Sequence, residues 1–183
     1  MIMNNVALRL QKNEIALSMI VRLVRGIEIA SIASSAGLDS VYIDLEHGTF
    51  SLDTTSQICM ACLAHGITPF VRLPSADPDL VPRILDGGAL GIIIPHVESV
   101  EIAEAMVRAA KYPPVGTRSY SSALPHFKFK AMAARTAMQD LNLATTVIAM
   151  IESPAGVSVA PAIAAVDGID ILHVGTNDLS TTM

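Results

Sequence analysis

Two carboxylates, Glu152 and Asp178, each close a short apolar run. Thr145-Thr146-Val147-Ile148-Ala149-Met150-Ile151 leads into the first, and Asp170-Ile171-Leu172-His173-Val174-Gly175-Thr176-Asn177 into the second. Runs of this length, rich in β-branched residues and bounded by Gly, Pro or Ser, suit buried parallel strands. Pro154 to Val166 lies between them, apolar and of helix length, so the carboxylates fall one βα unit apart at the carboxyl ends of their strands. Acidic groups converging there suit a divalent cation, since hard cations take oxygen ligands and α/β folds keep their sites at that end. The plainer alternative is that both residues cap the helices that follow them.

Other strand ends carry complementary chemistry. Val41-Tyr42-Ile43-Asp44-Leu45-Glu46-His47 ends in a polar cluster, and Thr68-Pro69-Phe70-Val71-Arg72-Leu73 ends near an arginine. A guanidinium fork can take a carboxylate through two parallel hydrogen bonds. An imidazole that titrates near neutrality can move a proton. Taken singly, His47 reads as a hydrogen-bonded structural histidine and Arg72 as a salt-bridge residue. Beside two cation-binding carboxylates they describe a site for a small 2-oxo acid, with the enolate stabilised by positive charge. Gly175-Thr176-Asn177-Asp178 opens toward a helix, so its backbone N–H groups can receive an anionic oxygen; the same tetrapeptide is also ordinary turn chemistry.

The elements that must position these residues follow from pattern. Ile15 to Val21 reads as a first strand, and a helix over 26–36 is closed by Gly37. A helix over 52–64 stops at Gly66, another spans 78–85 before Gly87-Gly88, Leu90 to Val97 reads as a fourth strand, and a helix opens at Ser99. Strand starts at 41, 68 and 90, and again at 146 and 170, recur roughly every 22 to 27 residues, the rhythm of βα units on a parallel sheet. That rhythm breaks between Lys111 and Thr145, a segment long enough to serve as a lid or an interface. Six strands can be counted, whereas a (β/α)8 barrel needs eight and about 250 residues. The alternatives are an open doubly wound sheet and a barrel sequence that ends early. The second is favoured: one domain over 1–183, a TIM barrel without its last two βα units, and no helix at Leu179 to Met183.

Composition narrows the partners. Of 183 residues, 51% are hydrophobic and only 16% charged, which fits strands covered by helices and further surface buried between subunits. The net charge of −5, the absence of Trp and an aromatic content of 4% argue against nucleic acid. No apolar stretch at the N-terminus is long enough to span a bilayer, and a reducing cytoplasm is the expected setting. Cys59 and Cys62 read C-x-x-C, but they fall in a segment of helical spacing with no second pair, so two small buried thiols are expected rather than a zinc site.

With these residues in view the sequence closely resembles the HpcH/HpaI aldolase family, the metal-dependent class II pyruvate aldolases. The resemblance rests on Asp44-Leu45-Glu46-His47, Phe70-Val71-Arg72, Tyr112-Pro113-Pro114 with Gly116-Thr117-Arg118, Ile151-Glu152 and Gly175-Thr176-Asn177-Asp178-Leu179-Ser180, in that order from Tyr42 onward. It implies a (β/α)8 barrel that cleaves 4-hydroxy-2-oxo acids to pyruvate and an aldehyde, and runs the reverse addition. It further implies Glu152 and Asp178 as ligands of Mg2+, Mn2+ or Co2+, Arg72 as the keto-acid residue, and His47 as the acid/base. Gly175, Thr176 and Asn177 become substrate-binding residues. Asp86 matches an acidic partner of that histidine. As a helix-terminal residue it would reach His47 only from a neighbouring subunit, in keeping with the family's hexameric habit. Met150 departs from the pattern, standing where some members carry Gln. A citramalyl- or malyl-CoA-type lyase is the enzymatic alternative, although Lys128 and Lys130 are the only nearby basic pair for CoA phosphates. A non-catalytic assembly domain is the alternative from another class.

Overall fold

The structure is a computed structural model that describes residues 2–183. Eight helices, α1 (Asn5–Gln11), α2 (Glu28–Ser35), α3 (Leu52–Ala64), α4 (Leu80–Asp86), α5 (Val100–Ala110), α6 (Ala134–Ala144), α7 (Pro154–Ala164) and α8 (Thr176–Thr182), accompany six strands. The strands are β1 (Ser18–Val21), β2 (Ser40–Asp44), β3 (Thr68–Arg72), β4 (Gly91–Ile94), β5 (Thr146–Ile151) and β6 (Ile171–Val174). They pair in parallel in the order β1-β2-β3-β4-β5-β6, each beside the next in the chain. The result is a curled, six-stranded parallel half-barrel.

Period-two alternation assigns side chains to the two faces. Val41 and Ile43 of β2, Val71 of β3, Ile92 and Ile94 of β4, and Val147, Ala149 and Ile151 of β5 pack outward against the helices. The alternate positions, Tyr42, Phe70, Ile93, Ile148 and Met150, form a second apolar cluster on the inner face, joined by Val6 of α1. Strands β2 to β5 are buried at every residue, while β1 and β6, at the two edges, are more exposed. Continuing the inner alternation past the cluster brings Asp44, Arg72 and Glu152 to the carboxyl ends of β2, β3 and β5.

Helix α1 was not legible in the sequence pattern and has a clear physical basis. Asn4 caps it by accepting from the Ala7 N–H at 3.0 Å, and its Nδ2 donates to Ala144 O at 2.8 Å and Thr146 Oγ1 at 2.9 Å. This ties α1 across the amino end of β5 and seats Val6 on the inner cluster. The chain's last residues also differ from expectation, because Thr176–Thr182 forms α8. The break in rhythm is resolved into a short 3-10 turn at Pro125–Phe127 and α6. Tyr112, Leu124 and Leu141 form a cluster of their own there, and His126 Nε2 lies 3.0 Å from Ala89 O, at the amino end of β4. The segment is therefore packed at the end of the sheet opposite Asp44 and Glu152, and is not a lid over them.

Cys59 and Cys62 are free thiols buried on α3, and burial pushes Cys62 up to about 12 and Cys59 well above its ordinary value. Neither is a ready thiolate for metal or redox chemistry. Among the described residues no helix is long and apolar enough to cross a membrane.

Gly91 tests the close packing of the central strands. A Cβ at this position would collide with the Thr146 carbonyl oxygen and the Phe70 ring. Gly91→Ala is expected to cost about 1–3 kcal/mol, the usual penalty of overpacking a full core. Urea unfolding measures it, and an unchanged midpoint would contradict the β3–β4–β5 packing described.

Candidate active site

The carboxyl ends of the strands surround a cavity of about 390 Å3. Its walls include Asp44, His47, Arg72, Glu152, Gly175, Thr176, Asn177 and Asp178, so of the residues given a catalytic, substrate or metal role from the sequence only Asp86 is missing from it. Asp86 closes α4 and accepts from Arg118 Nη2 at 2.6 Å, away from this opening. Arg118 is itself stacked 4.6 Å from the Tyr112 ring centroid.

The centre of the site is a buried ion pair. Asp44 and Arg72 face each other in register across β2 and β3. Arg72 Nε donates to Asp44 Oδ1 at 2.9 Å and Nη2 donates to Oδ2 at 2.7 Å. The Asp44 side chain is 0% exposed and that of Arg72 8%. The backbone N–H groups of Glu46 and His47 add bonds to Oδ1 at 3.1 and 3.2 Å, which turns the chain after β2 and sets His47 at the cavity. Burial alone would raise the Asp44 carboxyl; the Arg72 hydrogen bonds and the His47 N–H outweigh it and hold the group below its ordinary value.

In this geometry the two-donor fork of Arg72 meets a carboxylate of the protein itself, that of Asp44. The Nε/Nη2 edge is spent on Asp44, and Nη1 lies 2.9 Å from Glu46 Oε2 and 3.8 Å from the Met150 sulfur. The donors left to Arg72 at the cavity are those that Asp44 does not take, and of these Nη1 already meets Glu46 and Met150. Met150 thereby supplies a thioether contact to Arg72.

Glu152 is held with equal care. His96, just past β4, adopts a left-handed backbone with φ 51°, and its N–H donates to Glu152 Oε1 at 2.7 Å. That conformation costs a non-glycine residue on the order of 1 kcal/mol and is what aims the amide at the carboxylate. The His96 ring bridges two acids, with Nε2 3.1 Å from Glu46 Oε1 and Nδ1 3.4 Å from Glu152 Oε1. On the other side Gly175 is required by close approach, because a Cβ there would collide with Oε2 and Cβ of Glu152. The Glu152 side chain is 1% exposed, and its Oε2 is turned toward the strand-to-helix turn that carries Asp178.

Among the described residues no group of three or more His, Cys, Asp or Glu side chains is close enough to hold a metal unaided. Two carboxylates on one cavity wall nevertheless fit a hard divalent cation, which keeps several waters and takes only one or two protein carboxylates. Two further side chains with basic nitrogens line the cavity without having been given a site role from the sequence: Arg22, just beyond β1, and His173 of β6. Burial and the nearby Arg72 charge lower His173, so its imidazole is neutral at pH 7. His47 is half exposed, with Nε2 3.9 Å from Glu46 Oε2.

Removing Asp44 would leave Arg72 buried and unpaired. Asp44→Ala is expected to cost about 3–5 kcal/mol of stability by thermal or urea unfolding. Because the folded carboxyl titrates below its ordinary value of about 4, its contribution is complete above that pH and is lost as pH falls through the lower folded-state value. The gap between wild type and variant should therefore close in acid. A loss under about 1 kcal/mol at neutral pH would contradict the role given to this pair.

The chain is 39% identical over 182 residues to the 4-hydroxy-4-methyl-2-oxoglutarate aldolase of Chaetomium globosum, covering 98% of this chain and 68% of that protein. It is 42% identical over 165 residues to the Hapsidospora irregularis aldolase of the same name, covering 89% of this chain and 61% of that one. The chain thus spans roughly two thirds of these relatives. The crystal structure of the HpcH/HpaI aldolase from Desulfitobacterium hafniense DCB-2 superposes with a TM-score of 0.92 at 31% identity, over 98% of this chain and 69% of that one. The family profile for HpcH/HpaI aldolase/citrate lyase matches residues 24–183, and the chain belongs to this family.

Proposed function

We propose that this protein is a carbon–carbon lyase, a class II aldolase that reversibly cleaves a 4-hydroxy-2-oxo acid to pyruvate and an aldehyde. The observation that carries the reading is the convergence of Arg72, His47, Glu152 and Asp178 on one cavity at the carboxyl end of a parallel sheet. The relatives named for 4-hydroxy-4-methyl-2-oxoglutarate, itself a 4-hydroxy-2-oxo acid, support the substrate class; with a methyl group on C4, that compound would release a ketone, a second pyruvate, in place of the aldehyde. We read the six βα units as six of the eight in a (β/α)8 barrel, which the superposition on the Desulfitobacterium aldolase supports.

Glu152 and Asp178 would hold the cation, Mg2+, Mn2+ or Co2+, whose charge polarises the 2-oxo group when bound. Arg72 turns the edge not bonded to Asp44, whose Nη1 also meets Glu46 and Met150, to the same end of the substrate and balances negative charge as it develops on the C2 oxygen. Asp44 keeps that edge in place, so no reorganisation is needed during the reaction. His47 takes the proton of the 4-hydroxyl as the C3–C4 bond breaks; the C4 fragment leaves as the aldehyde, and the electron pair of the broken bond becomes the enolate of pyruvate. Protonation at C3 then completes pyruvate. Gly175, Thr176 and Asn177 form the wall against which the 2-oxo acid lies.

The protein would work as a homo-oligomer, a hexamer by the family's habit. Asp86 lies outside its own cavity, so its assignment as a partner of His47 requires the His47 of a neighbouring copy. A reducing cytoplasm suits the two free thiols.

Pyruvate release from a 4-hydroxy-2-oxo acid tests the reading. Glu152→Ala and Asp178→Ala should fall to background, and a chelator should abolish wild-type activity until Mg2+ or Mn2+ is restored. His47→Ala should lose roughly 10²–10⁴-fold in kcat, the usual worth of a positioned acid/base. Full activity in chelator would overturn the cation assignment.

A further inference from the structure

Arg22 is the cation in this cavity that the reaction described above does not use. It follows β1 directly, at the first edge of the sheet, whereas Glu152 and Asp178 follow β5 and β6 at the far side of the same opening. Its side chain is 55% exposed and its Nε stands 3.5 Å from Asp44 Oδ2. That contact does not consume it. Asp44 Oδ2 takes a shorter 2.7 Å bond from Arg72 Nη2, while the three other bonds to the carboxylate end on Oδ1, so Arg22 adds only a long ionic contact. Among the described residues the two Nη groups of Arg22 have no ionic or hydrogen-bonded partner.

The two guanidinium groups therefore differ in kind. Arg72 is buried, fixed on two edges and committed to one end of the cavity. Arg22 is tethered to the same Asp44 oxygen by a single longer contact and keeps its terminal donors for something else. Sharing that oxygen sets the two arginines within two contact distances of each other, a separation that a short carbon chain can bridge. A 2-oxo acid whose keto end lies between Arg72 and the Glu152–Asp178 wall would extend its tail toward β1. There the wall is Ile20 with Tyr42 paired beside it, and Arg22 is the cationic group that remains. An alkyl tail gains nothing from a guanidinium, whereas a carboxylate matches its planar donors.

We propose that Arg22 selects 2-oxo acids that carry a second carboxylate at the end remote from the keto group. The inference rests on the keto-acid reading of the cavity and deepens it: the substrate class is the dicarboxylic one, and Arg22 is the residue that distinguishes it. In cleavage, the distal carboxylate would depart with the aldehyde fragment, so Arg22 contacts the part of the substrate that varies.

The test compares two five-carbon ligands that differ only in that group and lack the 4-hydroxyl needed for cleavage, 2-oxoglutarate and 2-oxopentanoate. Binding is measured by calorimetry on the full chain with Mg2+ present. Wild type should prefer 2-oxoglutarate on the order of 10- to 100-fold, the range of a charge-assisted hydrogen-bonded pair that is partly solvated. Arg22→Gln should bring the ratio of affinities close to one, and Arg22→Lys should restore part of the preference. Equal affinities in wild type, or a preference that survives Arg22→Gln, would overturn the proposal. Failure of both ligands to bind would overturn the keto-acid reading itself, and the proposal with it.

Discussion

The bidentate pair between Asp44 and Arg72 is the interaction on which the site depends. A charged side chain at the inner face of a parallel sheet is costly to bury, and each member of this pair is tolerated because the other is present. The cost is repaid in position. Asp44 gathers two bonds from Arg72, two backbone amides from the turn after β2, and a long contact from Arg22. One carboxylate therefore sets the orientation of one arginine, tethers a second and shapes the turn that brings His47 to the opening.

The opposite wall is built by a different device. Glu152 is oriented by backbone: a strained amide at His96 on one side, and the absence of a side chain at Gly175 on the other. Both leave one carboxylate oxygen turned toward the segment that bears Asp178. The His96 ring then joins the halves, since it contacts Glu46, which touches Arg72, and Glu152. Rigid scaffolding of this kind holds charge in place without rearrangement, the condition for electrostatic stabilisation of a reacting group.

Much of this was legible from residue order. Apolar runs punctuated by Gly located all six strands, and α3 falls at 52–64 as its spacing predicts. The polar ends of β2, β3, β5 and β6 were visible because each follows directly on an apolar run. The ends of β1 and β4 were not. Arg22 lies one residue beyond the run that defines β1, and His96 was absorbed into a strand read as extending to Val97. The structure ends β4 at Ile94 and turns at His96 through a left-handed conformation that no apolar pattern signals. Register was the other hidden quantity. That Asp44 stands opposite Arg72, and so occupies the fork expected to meet substrate, depends on strand pairing, which side-chain spacing along one strand does not contain. Helix α1 escaped notice for a related reason: its stabilising contacts run from Asn4 to β5, at a sequence separation of 142 residues.

The central claim is that the Glu152–Asp178 wall and the Arg72 edge form one site for a cation and a 2-oxo acid together. Paramagnetic titration with Mn2+, in the absence and presence of pyruvate, measures this directly. If the two components share the site, each must strengthen the other's binding by the same factor. The account predicts one saturable Mn2+ site per chain whose affinity rises when pyruvate is added, and which is lost in Asp178→Asn. A chain with no saturable Mn2+ site, or with one that is indifferent to pyruvate, would contradict it.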